Sequence, residues 1–172
     1  MLRKSTLVFI VLAGLLAGAV GTAVGTPPTP NGVIAETARG ELVDRPLDVN
    51  MKFEDADGNK SQVQLKTKGR IEVAVQRIVA VPGATFGWHS HPGPTIVTVL
   101  SGTLTLYHAE DCTEGIEYAQ GTSFSNLPPE IHLARNEGTV DLVIYASYFV
   151  PMNTPPVALR IDQPSPGVEC PL

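Results

Sequence analysis

Of the four histidines in this 172-residue chain, two stand two positions apart, His89 and His91, inside the stretch Gly83 to Gly102. Successive side chains of a β-strand alternate faces, so such a pair projects to one side and can grip a single object. A third histidine, His132, follows a Pro-Pro turn in the stretch Gly121 to Asn136. Neutral imidazole is a common ligand of divalent transition metals. Three imidazoles from two segments take one face of an ion and leave the other open. The pair His89 and His91 points to a bound divalent metal such as Fe, Mn, Ni or Zn, with His132 a further candidate.

The elements that must position this trio read as β throughout. Strands are expected at Val33 to Val43, Asp48 to Glu54, Gln62 to Lys68 and Ile71 to Val81, then at Thr95 to Leu100 and Thr103 to Tyr107. Further strands are expected at Gly115 to Ala119, Thr122 to Asn126, Ile131 to Arg135 and Val140 to Val150. Ile71, Val73, Val75 and Val79 fall largely in alternation, the mark of a half-buried strand. Asp57-Gly58 reads as a hairpin turn, since glycine accepts positive φ. Neither helical periodicity nor an internal repeat is visible after residue 25. Many short strands punctuated by glycine and proline argue for a sandwich or barrel.

The two histidine stretches together resemble the paired motifs of the cupin superfamily. Gly83, His89, His91 and Gly102 fall in register with the first motif, and Gly121, His132 and Asn136 with the second. Two departures stand out: Thr95 occupies the usual glutamate position, and Leu127 and Pro129 replace the proline and glycine of the turn. The resemblance covers residues 71–150 and implies an all-β, cupin-like double-sheet β-barrel of jelly-roll type. It also implies metal binding at the three histidines. Without the glutamate the ion keeps an uncompensated +2 charge, which favours a small anionic ligand. Thr95 can donate a hydrogen bond to such a ligand or weakly approach the metal. Glu130, two residues before His132, could swing inward as a substitute acid but after Pro-Pro is expected to face solvent.

Residues 1–25 have the three parts of a secretory signal peptide, a basic start, an apolar run and small residues at the end. The chain is therefore expected to be secreted or extracytoplasmic, or alternatively anchored to a membrane if that segment stays uncleaved. Residues 26–32 read as a Pro-rich spacer, 33–151 as the barrel and 152–172 as a Pro-rich C-terminal tail lying along it. The net charge of -5, without a basic cluster, argues against nucleic acid as a partner. Val33 to Val43 suits either the edge of a homodimer or a cover for the barrel's own edge. The only two cysteines, Cys112 and Cys170, most simply form one disulfide in an oxidising compartment.

Other residues near the motifs have ordinary roles. His108 reads as surface, and Phe86 and Trp88 point away from His89 if their strand is regular, packing the barrel against the N-terminal arm. Asn136 secures the turn after its strand, and Tyr145, Tyr148 and Met152 read as core. Two classes of function remain open. One is a metal-dependent enzyme, such as an oxygenase, oxidising a small organic molecule; the other is a barrel that binds a small molecule or metal without turnover. A fold this widely reused does not choose between them.

Overall fold

A computed structural model describes residues 25–30, 32–43 and 46–172. Residues 1–24, on which the signal-peptide expectation rests, lie outside the described residues. Among the described residues, no helix is long and apolar enough to cross a membrane.

The described residues form twelve strands: β1 (Val33–Glu41), β2 (Asp48–Glu54), β3 (Lys60–Lys66), β4 (Ile71–Ala80), β5 (Thr85–Ser90), β6 (Thr95–Ser101), β7 (Thr103–His108), β8 (Asp111–Ala119), β9 (Ser123–Asn126), β10 (His132–Arg135), β11 (Leu142–Pro151) and β12 (Ile161–Asp162). Two five-stranded antiparallel sheets run in the orders β1-β4-β11-β6-β9 and β12-β5-β10-β7-β8, and β2 and β3 make a separate hairpin. This is the expected double-sheet barrel. Alternation explains the division of each strand between inside and outside. In β6, Thr95, Val97 and Val99 are buried while Ile96, Thr98 and Leu100 are exposed. The inward rows of β6, β7 and β11 meet in one core that includes Val97, Val99, Leu104, Leu106, Leu142 and Ile144. Each such side chain, fully buried, stabilises the fold by roughly 1.5–3 kcal/mol.

The two ends of the described chain are built into the barrel around β5. Thr26 Oγ1 accepts from the Trp88 amide at 2.6 Å, and the Thr26 amide donates to the Gln163 carbonyl at 2.9 Å. Thr29 and Thr85 exchange two more bonds, at 2.8 and 2.9 Å. The segment expected as a spacer is thus docked on the sheet that carries the histidines. At the other end, the Pro-rich tail makes a 3-10 turn at Pro156–Leu159 and then β12, which pairs with β5 in the register Ile161 to Ser90 and Asp162 to His89. The stretch from Val157 to Gln163 is free of proline, so its amides are available for that pairing.

The disulfide joins Cys112 on β8 to Cys170, with 5.2 Å between Cα atoms. It packs with Trp88 and Leu133 in a second small core on the outer side of the sheet. There the Trp88 indole Nε1 donates to the Pro171 carbonyl at 2.8 Å. Trp88 therefore faces away from the histidines, as expected, but packs on the C-terminal tail. β1 pairs with β4 over nine residues and stands at the edge of its sheet. It covers the edge of β4 within the chain.

Candidate metal centre

The antiparallel register of β5 and β10 sets His132 directly opposite His89. Directly opposed residues share a face, so both rings enter the barrel. His91 follows just beyond the end of β5 and turns into the same space. Ring centroids are 4.4 Å apart for His89 and His132, and 5.0 Å from His91 to each of the others. One ligand nitrogen from each ring lies within 4.8 Å of the other two, and all three residues are buried. The structure thus brings together all three of the expected ligands.

Backbone carbonyls settle which nitrogen of two rings is free. His89 Nδ1 lies 2.7 Å from the Gly87 carbonyl and His91 Nδ1 2.7 Å from the Leu159 carbonyl. A carbonyl only accepts, so each Nδ1 carries the proton and each Nε2 keeps its lone pair. Metal-bound histidines are commonly held this way by their second nitrogen. Burial holds the pKa of all three rings down. It is the main cause at His132, which is lowered to about 3 with His91 and His108 adding to the effect. It dominates likewise at His89, where His132 contributes, and at His91. The trio is neutral at pH 7, the state in which imidazole binds a metal. Convergent, neutral, pre-oriented nitrogen donors fit a divalent transition ion.

The expected regularity of β5 fails at one residue. Gly87 has φ +70°, and a Cβ there would collide with the Thr26 carbonyl oxygen. This breaks the alternation, so Phe86 lines the histidine cavity instead of facing away from it. The cavity measures about 40 Å³ and has a mostly apolar wall, to which Val97, Leu104, Phe124 and Ile144 contribute. An adjoining chamber of about 220 Å³ shares Phe86, His89, His91 and Tyr148, and is roofed by Pro28 of the N-terminal arm and by the 3-10 turn. Tyr148, expected as core, is buried but stands at this junction. Its ring centroid is 5.4 Å from that of His91, and its hydroxyl donates to Gln76 Oε1 at 2.8 Å. Tyr145 is exposed on the other face of the same strand.

Thr95 is buried beside the cavity, but its hydroxyl reaches the Gly93 carbonyl at 3.4 Å. Asn136 secures its turn as expected, donating from Nδ2 to the Ala80 and Val140 carbonyls at 2.8 Å each. The readings of His108 and Glu130 need correction. His108 lies opposite His132 on β7, so His89, His132 and His108 form a row across three strands. Glu130 is only half-exposed and sits behind that row, with Oε1 2.8 Å from His108 Nδ1 and 3.9 Å from His132 Nδ1. The Pro-Pro turn swings this carboxylate back over β10 rather than out to water.

Sequence reasoning missed three contributors. The Leu159 carbonyl orients His91, and every residue type carries a carbonyl, so composition holds no signal for it. Arg160 donates to the Phe86 carbonyl at 2.6 and 3.0 Å and to the Thr26 carbonyl at 2.9 Å, tying the tail to the irregular turn of β5. Asn126 is buried in the wall of the histidine cavity, and period two does reveal it. It shares the inward face of β9 with Phe124, while Ser123 and Ser125 face outward.

Residues 76–148 match the family model described as cupin domain. No curated protein sequence matches the chain significantly. Among solved structures, the barrel is similar to a cupin-like protein from Thermotoga maritima, at 21% identity and a TM-score of 0.46, covering 59% of this chain and 82% of that one. It is also similar to a conserved protein with a double-stranded beta-helix domain from Klebsiella pneumoniae, at 20% identity and a TM-score of 0.42, covering 68% and 83%. Peruvianin-I, a cysteine peptidase from Thevetia peruviana latex, aligns at 21% identity and a TM-score of 0.41 over 47% of this chain and 52% of its own. The chain thus spans about half of that last protein.

Proposed function

We propose that this chain, which belongs to the cupin superfamily, binds one divalent transition metal through His89, His91 and His132 and presents it to a small anionic organic molecule. The observation that carries this reading is the double commitment of Nδ1. Two buried, neutral imidazoles are each held by a backbone carbonyl at 2.7 Å with the other nitrogen left free. Three such donors supply no negative charge, so an ion held there retains +2 and attracts an anion. The bound metal would act as a Lewis acid on that anion. Phe86, Ile78 and Tyr148 line both chambers and suit an apolar body, while the roof of N-terminal arm and 3-10 turn excludes bulk water.

Oxidation of the bound molecule is one extension of this reading, with Fe, Mn or Ni as the ion; binding without turnover, also open to Zn, is the other. A specific observation favours the second. Among the described residues, apart from the histidines and Tyr148, neither chamber is lined by a side chain suited to general acid–base work. The disulfide supports an oxidising, extracytoplasmic location, and the apolar run near the N-terminus supports secretion as the route.

Elemental analysis of the protein purified without affinity-tag metals tests the reading. About one equivalent of a transition metal is expected in the wild type and none in a His89→Ala/His132→Ala double variant. A wild type that is empty and refuses Fe, Mn, Ni and Zn would overturn it. Oxygen uptake with candidate carboxylates then separates turnover from binding alone.

A further inference from the structure

Asn126 reaches into the histidine cavity with half of its side chain unmatched. It ends β9 opposite Thr95 of β6 and is 4% exposed. Its Nδ2 lies 3.3 Å from His132 Nε2, and its Oδ1 has no hydrogen-bond partner. Burying an acceptor with nothing to accept is unfavourable, so the oxygen calls for a hydrogen-bond donor or a cation. The donation from Nδ2 to His132 Nε2 also cannot persist once that lone pair binds a metal. The amide must then withdraw or turn.

A half-turn about the last side-chain torsion exchanges the amide's oxygen and nitrogen, and leaves its shape almost unchanged. Oδ1 then stands beside His132 Nε2, where Nδ2 stood. Two donors held about 2.1 Å from one ion at right angles are about 3 Å apart. The observed 3.3 Å therefore suits neighbouring ligands of a single metal. We propose that Asn126 is a fourth protein ligand of the metal, binding through Oδ1.

This inference rests on the three-histidine reading and deepens it. It also gives a physical account of Thr95. The family resemblance places a glutamate at that position, whereas here a short hydroxyl leans on the Gly93 carbonyl. The residue directly across the ladder, Asn126, supplies the oxygen instead. The replacement is neutral, so the coordination set gains a ligand without losing its demand for an exogenous anion. On an ion that accepts five or six ligands, one or two positions stay open for that anion.

The test is a Co2+ titration of the full, disulfide-bonded protein, read by visible absorption and by competition with a chelator. Wild type is compared with Asn126→Leu, Asn126→Asp and His132→Ala. Asn126→Leu is expected to bind Co2+ at least tenfold more weakly, with an altered visible spectrum, while Asn126→Asp binds at least tenfold more tightly. If wild type takes up Co2+ but both Asn126 variants bind within threefold of it with the same spectrum, Asn126 is not a ligand and the three-histidine site stands. If Asn126→Leu does not fold, the isosteric Asn126→Asp decides alone, and unchanged affinity there overturns the proposal. A wild type that takes up no Co2+ removes both this ligand and the metal site.

Discussion

Packing three imidazoles side by side in an apolar barrel excludes their protonated forms, and that exclusion couples the site to the stability of the fold. His132 titrates near 3 when folded, against about 6.5 in an unfolded chain. Between those values the unfolded state binds more protons, so stability is fully present above about pH 6.5 and is lost as pH falls toward 3. His89 and His91 shift in the same direction, also chiefly through burial. For His132 the slope approaches about 1.4 kcal/mol per pH unit inside its window. Scanning calorimetry of the chelator-treated protein is expected to show a lower Tm at pH 4.5 than at pH 7. The His132→Gln variant should give a shallower dependence, and equal slopes would contradict the account.

Among the elements, β5 carries the most constraint, because its turn at Gly87 serves both the arm at Thr26 and Pro27 and the tail at Arg160. The Gly87 carbonyl orients His89, and the absent Cβ leaves room for the Thr26 and Pro27 carbonyls and for Arg160 Nη2. Gly87→Ala adds a methyl group where backbone must move and forces a residue with φ +70° into the left-handed region. The expected cost is roughly 2–4 kcal/mol. Urea denaturation should show a lower midpoint with an unchanged slope, and a variant within 0.5 kcal/mol of wild type would show that the arm yields freely.

This element also marks the limit of what could be read in advance. The strands β6 and β11 were legible because alternation of side chains survives intact along them. By contrast, β2 is exposed along nearly its whole length, and β4 buries Ala74, Ile78 and Ala80 rather than the row of Ile71, Val73, Val75 and Val79 that the alternation marked. The histidine trio was legible because spacing two on a strand dictates a shared face. Phe86 was misplaced because a positive φ at one glycine cancels that rule, and nothing in the neighbouring residue types announces it. Glu130 was misplaced because proline restricts φ without stating which way a turn swings.

For the described molecule as a whole, the disulfide and the docked arm at Thr26 and Thr29 tie the sheet of β5 to the tail. Cys112 and Cys170 close a sequence separation of 58 residues, which in the chain-entropy model stabilises by roughly 4 kcal/mol. Their bond sits next to the indole that the Pro171 carbonyl anchors, so it fixes the tail that carries Leu159. The Cys112→Ser/Cys170→Ser variant is expected to lose roughly 4 kcal/mol in urea denaturation. It should also bind metal more weakly, since His91 then has a looser acceptor. Unchanged metal affinity in that variant, measured under conditions where it remains folded, would show that the turn at Pro156–Leu159 holds its place without the covalent link.

The bond from His91 to the Leu159 carbonyl crosses 68 residues of chain. A ribosome adds residues in order, so His91 emerges long before the atom that orients it. Until Leu159 is translated and the tail has folded back over β5, one imidazole of the trio is free to rotate. The donor set of three histidines is therefore completed only after Leu159 has been made and the tail has folded back over β5. Until then the chain offers passing ions an unfinished set of donors.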